Sequence, residues 1–304
     1  MAEEQFRQPH ISFRIHLLWT HSCPTVFHRV SANVIREVCS YFAFLPDVLV
    51  HVQRGSIWSF AVYEKTWTPF QVTKRKLTNV VAAVFIGTKK AFMVISNITS
   101  AIEDPPYYTI HDHGMTTRYG DFERDRYISA VTYDPTRNCV YILGGRSLFG
   151  TQTKAVCKFS LLSCEGEALP DMLVGRSGFG LCWHRDLLYI CAGSDPSVHT
   201  FHPSTQIHAA LSSLLLSPED GNYGFLAVYY ADQIVILSQR SVWKGQGQQW
   251  SREQRREEES EKSLGNPVLL GKFLYYSHQE GCSEFNLDTG EVCRYSFNTR
   301  EAIR

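Results

Sequence analysis

Two groups of histidine and cysteine residues carry side chains that bind transition metals. His111-Asp112-His113 places two imidazoles one residue apart, a spacing that can hold a metal ion when it lies on a strand. A looser group lies near the N-terminus and consists of His16, His21, Cys23, His28 and Cys39. The first group sits in a predicted loop and offers no third ligand, and the second lacks paired Cys-x-x-Cys spacing. The sequence therefore predicts no metal and no other cofactor.

The sequence also lacks the short motifs that mark catalytic sites. No GxSxG, HExxH or glycine-rich phosphate loop is present. The glycine pair Gly144-Gly145 lies between two predicted strands and does not precede a helix, so helix-terminus phosphate binding does not apply to it. We therefore expect a protein that is not an enzyme.

The amino-acid composition limits the classes of partner that the protein can attract and indicates the cellular compartment. The 304 residues contain 30 basic and 30 acidic side chains, so no overall charge attracts nucleic acid or anionic lipid. The nine cysteines are odd in number and several lie in apolar runs, as expected for reduced thiols in a cytoplasmic protein. No apolar run approaches the roughly 18 residues of a membrane span, and the N-terminus does not resemble a secretory signal.

An apolar run followed by a small or polar break recurs six times, with 39 to 48 residues between successive breaks. Each run follows a shorter apolar stretch and a turn rich in Gly, Pro, Asp or Asn, so each pair predicts an antiparallel hairpin. The equivalent break residues are Gln53, Ser96, Gly144, Ala192, Ser238 and Ser277.

In four copies a third stretch ends in phenylalanine and a fourth stretch follows a polar turn. The third stretches contain Phe60, Phe159, Phe201 and Phe285. Four strands in about 40 to 50 residues are typical of a β-propeller blade. The sequence thus predicts an all-β, six-bladed propeller over residues 38–298, with a C-terminal tail at 299–304.

The repeat resembles the kelch family of propellers. The resemblance is carried by the glycine pair Gly144-Gly145, by Ala192-Gly193 in the next copy, and by the aromatic series Phe60, Tyr63 and Trp67 in the first. It implies a fold related to the central domain of galactose oxidase and, in most members, a protein-binding role. Two copies are irregular: the second lacks a clear third strand, and a charged insertion at 243–262 is predicted to interrupt the fifth.

Residues 1–37 are predicted to form an N-terminal extension. The stretch at 10–19 alternates as a strand and could close the last blade, since closure removes exposed sheet edges. Ser31 is placed to cap a short helix. That helix looks like a trimmed F-box, although Leu45-Pro46 follows it where an F-box begins with Leu-Pro. An alternative function is therefore substrate recognition in a cullin-type ubiquitin ligase, with residues 25–45 recruiting the adaptor protein.

A propeller without a catalytic set is expected to act as a rigid platform, a kelch-type scaffold whose loops bind a protein partner. The loops after the runs would ring one mouth of the channel. The candidate binding residues are Arg54, Asn97, Arg146, Ser194, Arg240 and Gln279. Arginine suits acidic targets because its planar fork pairs with two oxygens at once.

Overall fold

The structure is a computed structural model in which every described element is a β-strand. The described residues are 48–53, 56–61, 65–72, 80–86, 91–96, 107–112, 115–121, 126–128, 130–147, 149–217, 220, 224–238, 240–254, 267–278 and 281–296. The chain separates into two compact units, Met1–Asp47 and Val48–Arg304, and the described strands belong to the second. The predicted N-terminal strand and helix lie outside the described residues.

The first three sheets follow one another along the chain, each with antiparallel neighbours. The first contains β1 (Val48–Gln53), β2 (Ser56–Ala61) and β3 (Thr66–Val72). The second contains β4 (Val80–Ile86), β5 (Ala91–Ser96), β6 (Tyr107–Asp112) and β7 (Met115–Asp121). The third contains β9 (Ala130–Asp134), β10 (Cys139–Leu143), β12 (Val156–Ser160) and β13 (Gly166–Leu169), and a small ribbon pairs β8 (Arg126–Tyr127) with β11 (Arg146–Ser147).

The remaining three sheets repeat the same order of four antiparallel strands. The fourth contains β14 (Gly180–His184), β15 (Leu187–Cys191), β16 (Ser197–His202) and β17 (Ile207–Ser213). The fifth contains β18 (Leu226–Tyr230), β19 (Gln233–Leu237), β20 (Ser241–Gln246) and β21 (Gln249–Gln254). The sixth contains β22 (Val268–Leu270), β23 (Phe273–His278), β24 (Gly281–Asn286) and β25 (Val292–Ser296).

The sheets have a β-propeller arrangement. The first strands of neighbouring sheets contact each other in the pairs β4–β9, β9–β14 and β14–β18, and β1 of the first sheet contacts β23 of the sixth. Consecutive meanders whose first strands are neighbours are what a propeller requires. The described part of the chain is therefore all-β, as the repeat predicted.

The predicted number of six blades is corrected. Four blades, formed by the third to sixth sheets, are shown with their strands and side-chain packing over residues 126–296. The sheet β1–β3 has three strands, because the stretch predicted to pair with β1 precedes the described residues. The sheet β4–β7 is described mainly through its backbone pairing.

The core lies between consecutive sheets because each central strand is buried on both faces. Val140 and Ile142 of β10 share a buried cluster with Ile95 of the second sheet. Tyr141, the residue between them, packs instead with Phe201 of the fourth sheet. Successive residues of a strand point to opposite faces, so a strand between two sheets needs apolar residues at nearly every position. This explains the continuous apolar runs of the sequence.

The other sheet junctions are built in the same way. Cys191 and Val198 pack with Trp243 between the fourth and fifth sheets. Val235 packs with Leu274 between the fifth and sixth. Burying such a side chain stabilises the fold by about 1.5 to 3 kcal/mol, so these layers of side chains are the main force joining the blades.

Two sequence interpretations of irregular copies are corrected. The second sheet has a third strand, β6, where none was apparent, because its sequence YYTIHD lacks a long apolar run. Residues 243–254, assigned to a charged insertion, form most of β20 and the whole of β21. Outer strands carry polar residues because one face of the sheet is exposed to solvent there. Their amino-acid composition therefore resembles that of a loop, which explains the wrong interpretation. Residues 255–262 of the predicted insertion lie outside the described residues.

The described part of the chain contains no helix long and apolar enough to cross a lipid bilayer.

Candidate partner-binding face

One end of the sheets carries the loops that the sequence singled out. In an antiparallel sheet, the loop after the second strand and the link from the fourth strand to the next sheet emerge at the same end. We call this end the loop face. Its described residues in the third to fifth sheets are 144–147, 149–155, 170–179, 192–196, 214–217, 220, 224–225, 238 and 240.

Backbone hydrogen bonds join the loops of the third sheet to the link that leaves it. The Gly145 N–H donates to the carbonyl of Arg176 at 3.0 Å, and the Arg176 N–H donates to the carbonyl of Thr153 at 3.3 Å. The Thr153 N–H closes the set by donating to the Gly145 carbonyl at 3.0 Å. These bonds satisfy backbone groups that would otherwise need water, so the loop and the link form one unit.

Ser194 extends this unit to the fourth sheet. Its N–H donates to the Ser177 carbonyl at 3.0 Å, and its hydroxyl accepts from the Ser177 N–H at 3.1 Å. The same hydroxyl donates to Oε1 of Gln152 at 2.6 Å, in the loop of the third sheet. Further along, the Phe225 N–H donates to the Gly178 carbonyl at 3.1 Å. The loops of the third and fourth sheets and the links that leave these sheets are therefore hydrogen-bonded into a continuous platform.

Glycine is required at two positions of this platform. Gly144 has φ +55°, and a Cβ there would lie 2.6 Å from the carbonyl oxygen of Arg176. Gly193 has φ +96°, and its Cβ would lie 2.6 Å from the carbonyl oxygen of Ser177. Glycine has no Cβ and therefore tolerates both a positive φ and the close approach of another group, and both conditions occur at these two positions. The approaching group is the link between sheets and not a neighbouring inner strand, because β10 and β15 are the second strands of their sheets.

Arg176 is fully buried under the platform and binds the loop of the fourth sheet. Its guanidinium donates to the carbonyl of Ser197 at 2.7 Å and to the carbonyl of Ala192 at 3.2 Å. It also forms an ion pair with Asp195 at 3.1 Å, and it lies 3.3 Å from the His199 ring. A planar group with several donors can hold such a set of acceptors in one geometry. Because it is buried, this arginine fixes the loop and does not contact a ligand.

The charge of Arg176 alters its neighbours. Burial, followed by the Arg176 charge, lowers the pKa of His199 to about 4, so this histidine is neutral at pH 7. Burial acts to raise the pKa of Asp195, but hydrogen bonds from Ser197 and the charge of Arg176 outweigh burial and lower it. The cluster thus holds one cation, one anion and one neutral ring.

A second ion pair, in which the acidic residue is the buried member, supports the loop of the fifth sheet. Asp220 is fully buried and accepts from the hydroxyls of Ser217 at 2.9 Å and Ser238 at 3.1 Å. Arg252 of β21 donates to it at 3.1 Å. Burial acts to raise the pKa of Asp220, but the hydrogen bonds of nearby serines and the charge of Arg252 outweigh it and lower the pKa.

Three of the six predicted binding residues are described, and all three lie on the loop face. Arg146 forms part of the ribbon strand β11 and is half-buried, whereas Arg240 is exposed next to β20. Ser194 is committed to the platform through its three hydrogen bonds. All three residues follow the second strands of their sheets, β10, β15 and β19. Arg54, Asn97 and Gln279 lie outside the described residues.

The two groups of histidine and cysteine residues that were considered as metal ligands lie mostly outside the described residues. His111 and Asp112 end β6 and do not lie in a loop, and His113 lies outside the described residues. The N-terminal histidines and cysteines lie outside them as well. Within the described ranges, no three His, Cys, Asp or Glu side chains are grouped as metal ligands would be.

Sequence reasoning missed three features of the loop face. Arg176 and Asp220 gave no signal, since an ionisable residue in a loop is usually exposed. The third feature is a set of large apolar side chains that point to solvent: Phe149 is 96% exposed, Leu215 is 89% exposed and Leu173 is 43% exposed. All three lie in loops of the loop face.

Comparison with known proteins supports the fold and does not identify a family. No family model matches the chain, and no curated protein matches it. Among solved structures, it is similar to a propeller chain in a crystal structure of a nidogen/laminin complex, with a TM-score of 0.56 and 13% sequence identity. The match covers 81% of this chain and 91% of that chain. At this identity the likeness defines the class of fold, a β-propeller, and nothing further.

Proposed function

We propose that this chain is a non-enzymatic protein-interaction module, a kelch-type propeller that presents its loop face to a protein partner. The observation that carries the proposal is the platform of hydrogen bonds that joins the loops of the third and fourth sheets, and the link between them, through Gly145, Ser177 and Ser194. Loops that are already fixed lose little conformational entropy when a partner binds. The exposed apolar side chains on the same face are the kind of group that protein interfaces bury.

The kelch assignment within this proposal is supported by the two glycine positions. Gly144 and Gly193 both have positive φ, and at both positions a backbone carbonyl oxygen lies closer than a Cβ would allow. The proposal places the protein in the cytoplasm, which is consistent with its cysteines. Within the described part of the chain all seven cysteines are free, and Cys139, Cys182 and Cys191 are buried in the core.

The partner-binding role is tested by charge reversal on the loop face. We expect the double variant Arg146→Glu/Arg240→Glu to lose its main partner in affinity purification from the native cell, quantified by mass spectrometry. The matched control is Arg185→Glu/Lys272→Glu, which reverses two exposed charges in turns at the opposite end of the sheets. Equal partner recovery from both folded variants would contradict the proposal.

The ubiquitin-ligase hypothesis depends on residues 25–45, all of which lie outside the described residues, and it stays a prediction. A variant that lacks residues 1–37 separates it from the general proposal. Ligase subunits that appear with the full chain and disappear with the shortened chain would support an adaptor role. A partner retained by both would belong to the propeller.

A further inference from the structure

A short hairpin on the loop face displays the most exposed large apolar side chain of the described residues. Arg146 and Gln152 form an antiparallel bridge at its base. We call residues 146, 147 and 149–152 the Phe149 hairpin. At its tip, the ring of Phe149 is 96% exposed and a Cβ at Gly150 would meet no atom within 4 Å. The tip therefore projects into open space.

The tip is held by its own hydrogen bonds. The Ser147 N–H donates to the Thr151 carbonyl at 2.7 Å, and the Gly150 N–H donates to the Ser147 carbonyl at 3.0 Å. The Ser147 hydroxyl accepts from the N–H groups of Phe149 at 3.3 Å and Thr151 at 3.2 Å. A side chain that caps its own turn in this way fixes the backbone. The exposed ring is thus carried by an ordered turn.

The base of the hairpin is anchored to the platform on both arms. Arg146 and Ser147 pair with Tyr127 and Arg126 in the ribbon β8–β11. On the other arm, Gln152 accepts from the Ser194 hydroxyl at 2.6 Å. Interface residues that contribute most to affinity are typically aromatic or arginine side chains that are positioned before binding. The Phe149 hairpin has these properties.

A second exposed apolar residue is connected to the same arm. The Met172 N–H donates to the Lys154 carbonyl at 2.8 Å, and Leu173, 43% exposed, is the next residue in the link. Lys154 itself is exposed. This part of the loop face therefore carries both an exposed apolar side chain and an exposed cationic one.

The charges at the hairpin favour an acidic partner. Residues 144–155 contain the basic residues Arg146 and Lys154 and no acidic residue. Among the described residues of the neighbouring loops, Asp195 pairs with Arg176 and Asp220 pairs with Arg252, so the two basic residues of 144–155 outnumber the one exposed carboxylate beside them, that of Asp171. Opposite charges speed encounter and select between partners, and like charges at an interface disfavour binding.

We propose that the Phe149 hairpin binds an acidic peptide segment of a partner protein, whose apolar side chains cover the Phe149 ring and whose carboxylates face Arg146 and Lys154. This inference rests on the proposed function and specifies the chemistry of the partner. Apolar contact supplies most of the affinity, and charge selects acidic sequences.

The test begins with a random peptide library displayed on phage and selected on the purified full-length protein. We expect enriched peptides that combine acidic residues with aromatic or large aliphatic ones. Labelled synthetic copies should bind Phe149→Ser at least tenfold more weakly, as for an interface hot spot, and should bind Lys154→Glu more weakly than wild type. The control Leu162→Ser removes a side chain that is 81% exposed in the turn at the opposite end of the third sheet, and it should bind within twofold of wild type.

Several outcomes would overturn the inference. No enrichment, enrichment of basic peptides, or equal binding by folded Phe149→Ser would exclude the proposed contact. Two measurements address other occupants: co-sedimentation with phosphatidylserine vesicles and light scattering of the purified protein. Phe149-dependent vesicle binding would assign the hairpin to a membrane, and Phe149-dependent dimers would assign it to a second copy of this chain.

The design separates this inference from the proposed function. If Phe149→Ser retains the native partner and Arg146→Glu/Arg240→Glu loses it, the loop face binds the partner and the hairpin inference fails alone. If both variants retain the partner, the proposed function fails as well. Thermal unfolding of each variant verifies that the fold is retained.

Discussion

The indole N–H of Trp250 donates a hydrogen bond to the hydroxyl of Ser212 at 2.7 Å, across the junction between the fifth and fourth sheets. Trp183 of the fourth sheet donates in the same way to Thr132 of the third at 3.0 Å. Trp67 of the first sheet donates to the carbonyl of Tyr295 in the sixth at 3.4 Å. Tryptophan donors therefore join three pairs of neighbouring sheets, in addition to the apolar layers between them.

The hydrogen bond between Trp250 and Ser212 is predicted to stabilise the fold independently of the apolar area of the indole. Trp250→Phe loses both the donor and buried area, so the bond is isolated by a double-mutant cycle with Ser212→Ala. We expect a coupling free energy of about 1 kcal/mol from chemical denaturation, which is typical of a net hydrogen bond. Additive effects of the two substitutions would show that the bond contributes nothing.

Two glycines with positive φ provide a matched test of the close approach at the platform. Gly144→Ala introduces a Cβ 2.6 Å from the Arg176 carbonyl, whereas the Cβ of Gly150→Ala meets nothing within 4 Å. Both changes carry the backbone cost of alanine at positive φ, about 1 to 2 kcal/mol, and Gly144→Ala adds overpacking of roughly 1 to 3 kcal/mol. Urea midpoints should therefore fall much further for Gly144→Ala. Similar decreases in the urea midpoint for the two variants would mean that the link moves away from the added Cβ at no cost in free energy.

The strands of the core were predictable because burial on both faces leaves a strong signal. Val140 to Leu143 are all apolar, since alternate residues pack into different clusters. Outer strands gave a weaker signal: β21, QWSREQ, is polar, and only its pairing with β20 makes it a strand. Strand propensity depends on such pairing, which a local sequence window does not contain.

The position of the candidate site was predictable from the sequence, but most of the side chains that form it were not. The break after each apolar run located the loop face, where Arg146, Ser194 and Arg240 lie. The ion pair of Arg176 with Asp195 joins residues that are 19 positions apart and lie on either side of the hairpin β14–β15. Exposure of Phe149 also depends on the tertiary course of its hairpin. Long-range contacts of this kind follow from the packing of loops, and loop composition alone does not determine them.

Lys65 is predicted to hold the first sheet to the sixth. Its ammonium forms an ion pair with Glu284 and lies 4.3 Å from the centre of the Tyr275 ring. Burial acts to raise the pKa of Glu284, but hydrogen bonds from Lys65 and Tyr275 outweigh it and lower the pKa. We expect Lys65→Met to leave Glu284 without its cation and to loosen this junction.

Hydrogen exchange checks the role of Lys65. Amides of β1–β3 and β22–β25 should exchange faster in Lys65→Met, while those of β14–β17 should be unchanged, because a lost local contact lowers the free energy of local opening. Lys154→Met removes an exposed lysine of the loop face and serves as the control. Uniform acceleration across all sheets would indicate global destabilisation, and no change would exclude a role in holding the junction.

Stability is predicted to fall in mild acid because of His199. Burial and the charge of Arg176 lower its pKa to about 4 in the folded protein, against an ordinary value of 6.5. As pH falls from about 6.5 to 4, the unfolded state takes up a proton at this position and the folded state does not, so the free energy of unfolding decreases over that window. A shift of this size corresponds to at most about 3 kcal/mol.

The substitution His199→Gln keeps hydrogen-bonding groups and removes the titration. We expect its unfolding free energy to depend less on pH between 6.5 and 4 than that of wild type, with the variants compared by urea denaturation at several pH values. His202→Gln, on the same strand and half-buried, is the control. His208 also has a pKa lowered by burial, so some pH dependence should remain in His199→Gln. Identical pH profiles for His199→Gln and wild type would contradict the assignment of His199 as a neutral, buried partner of Arg176.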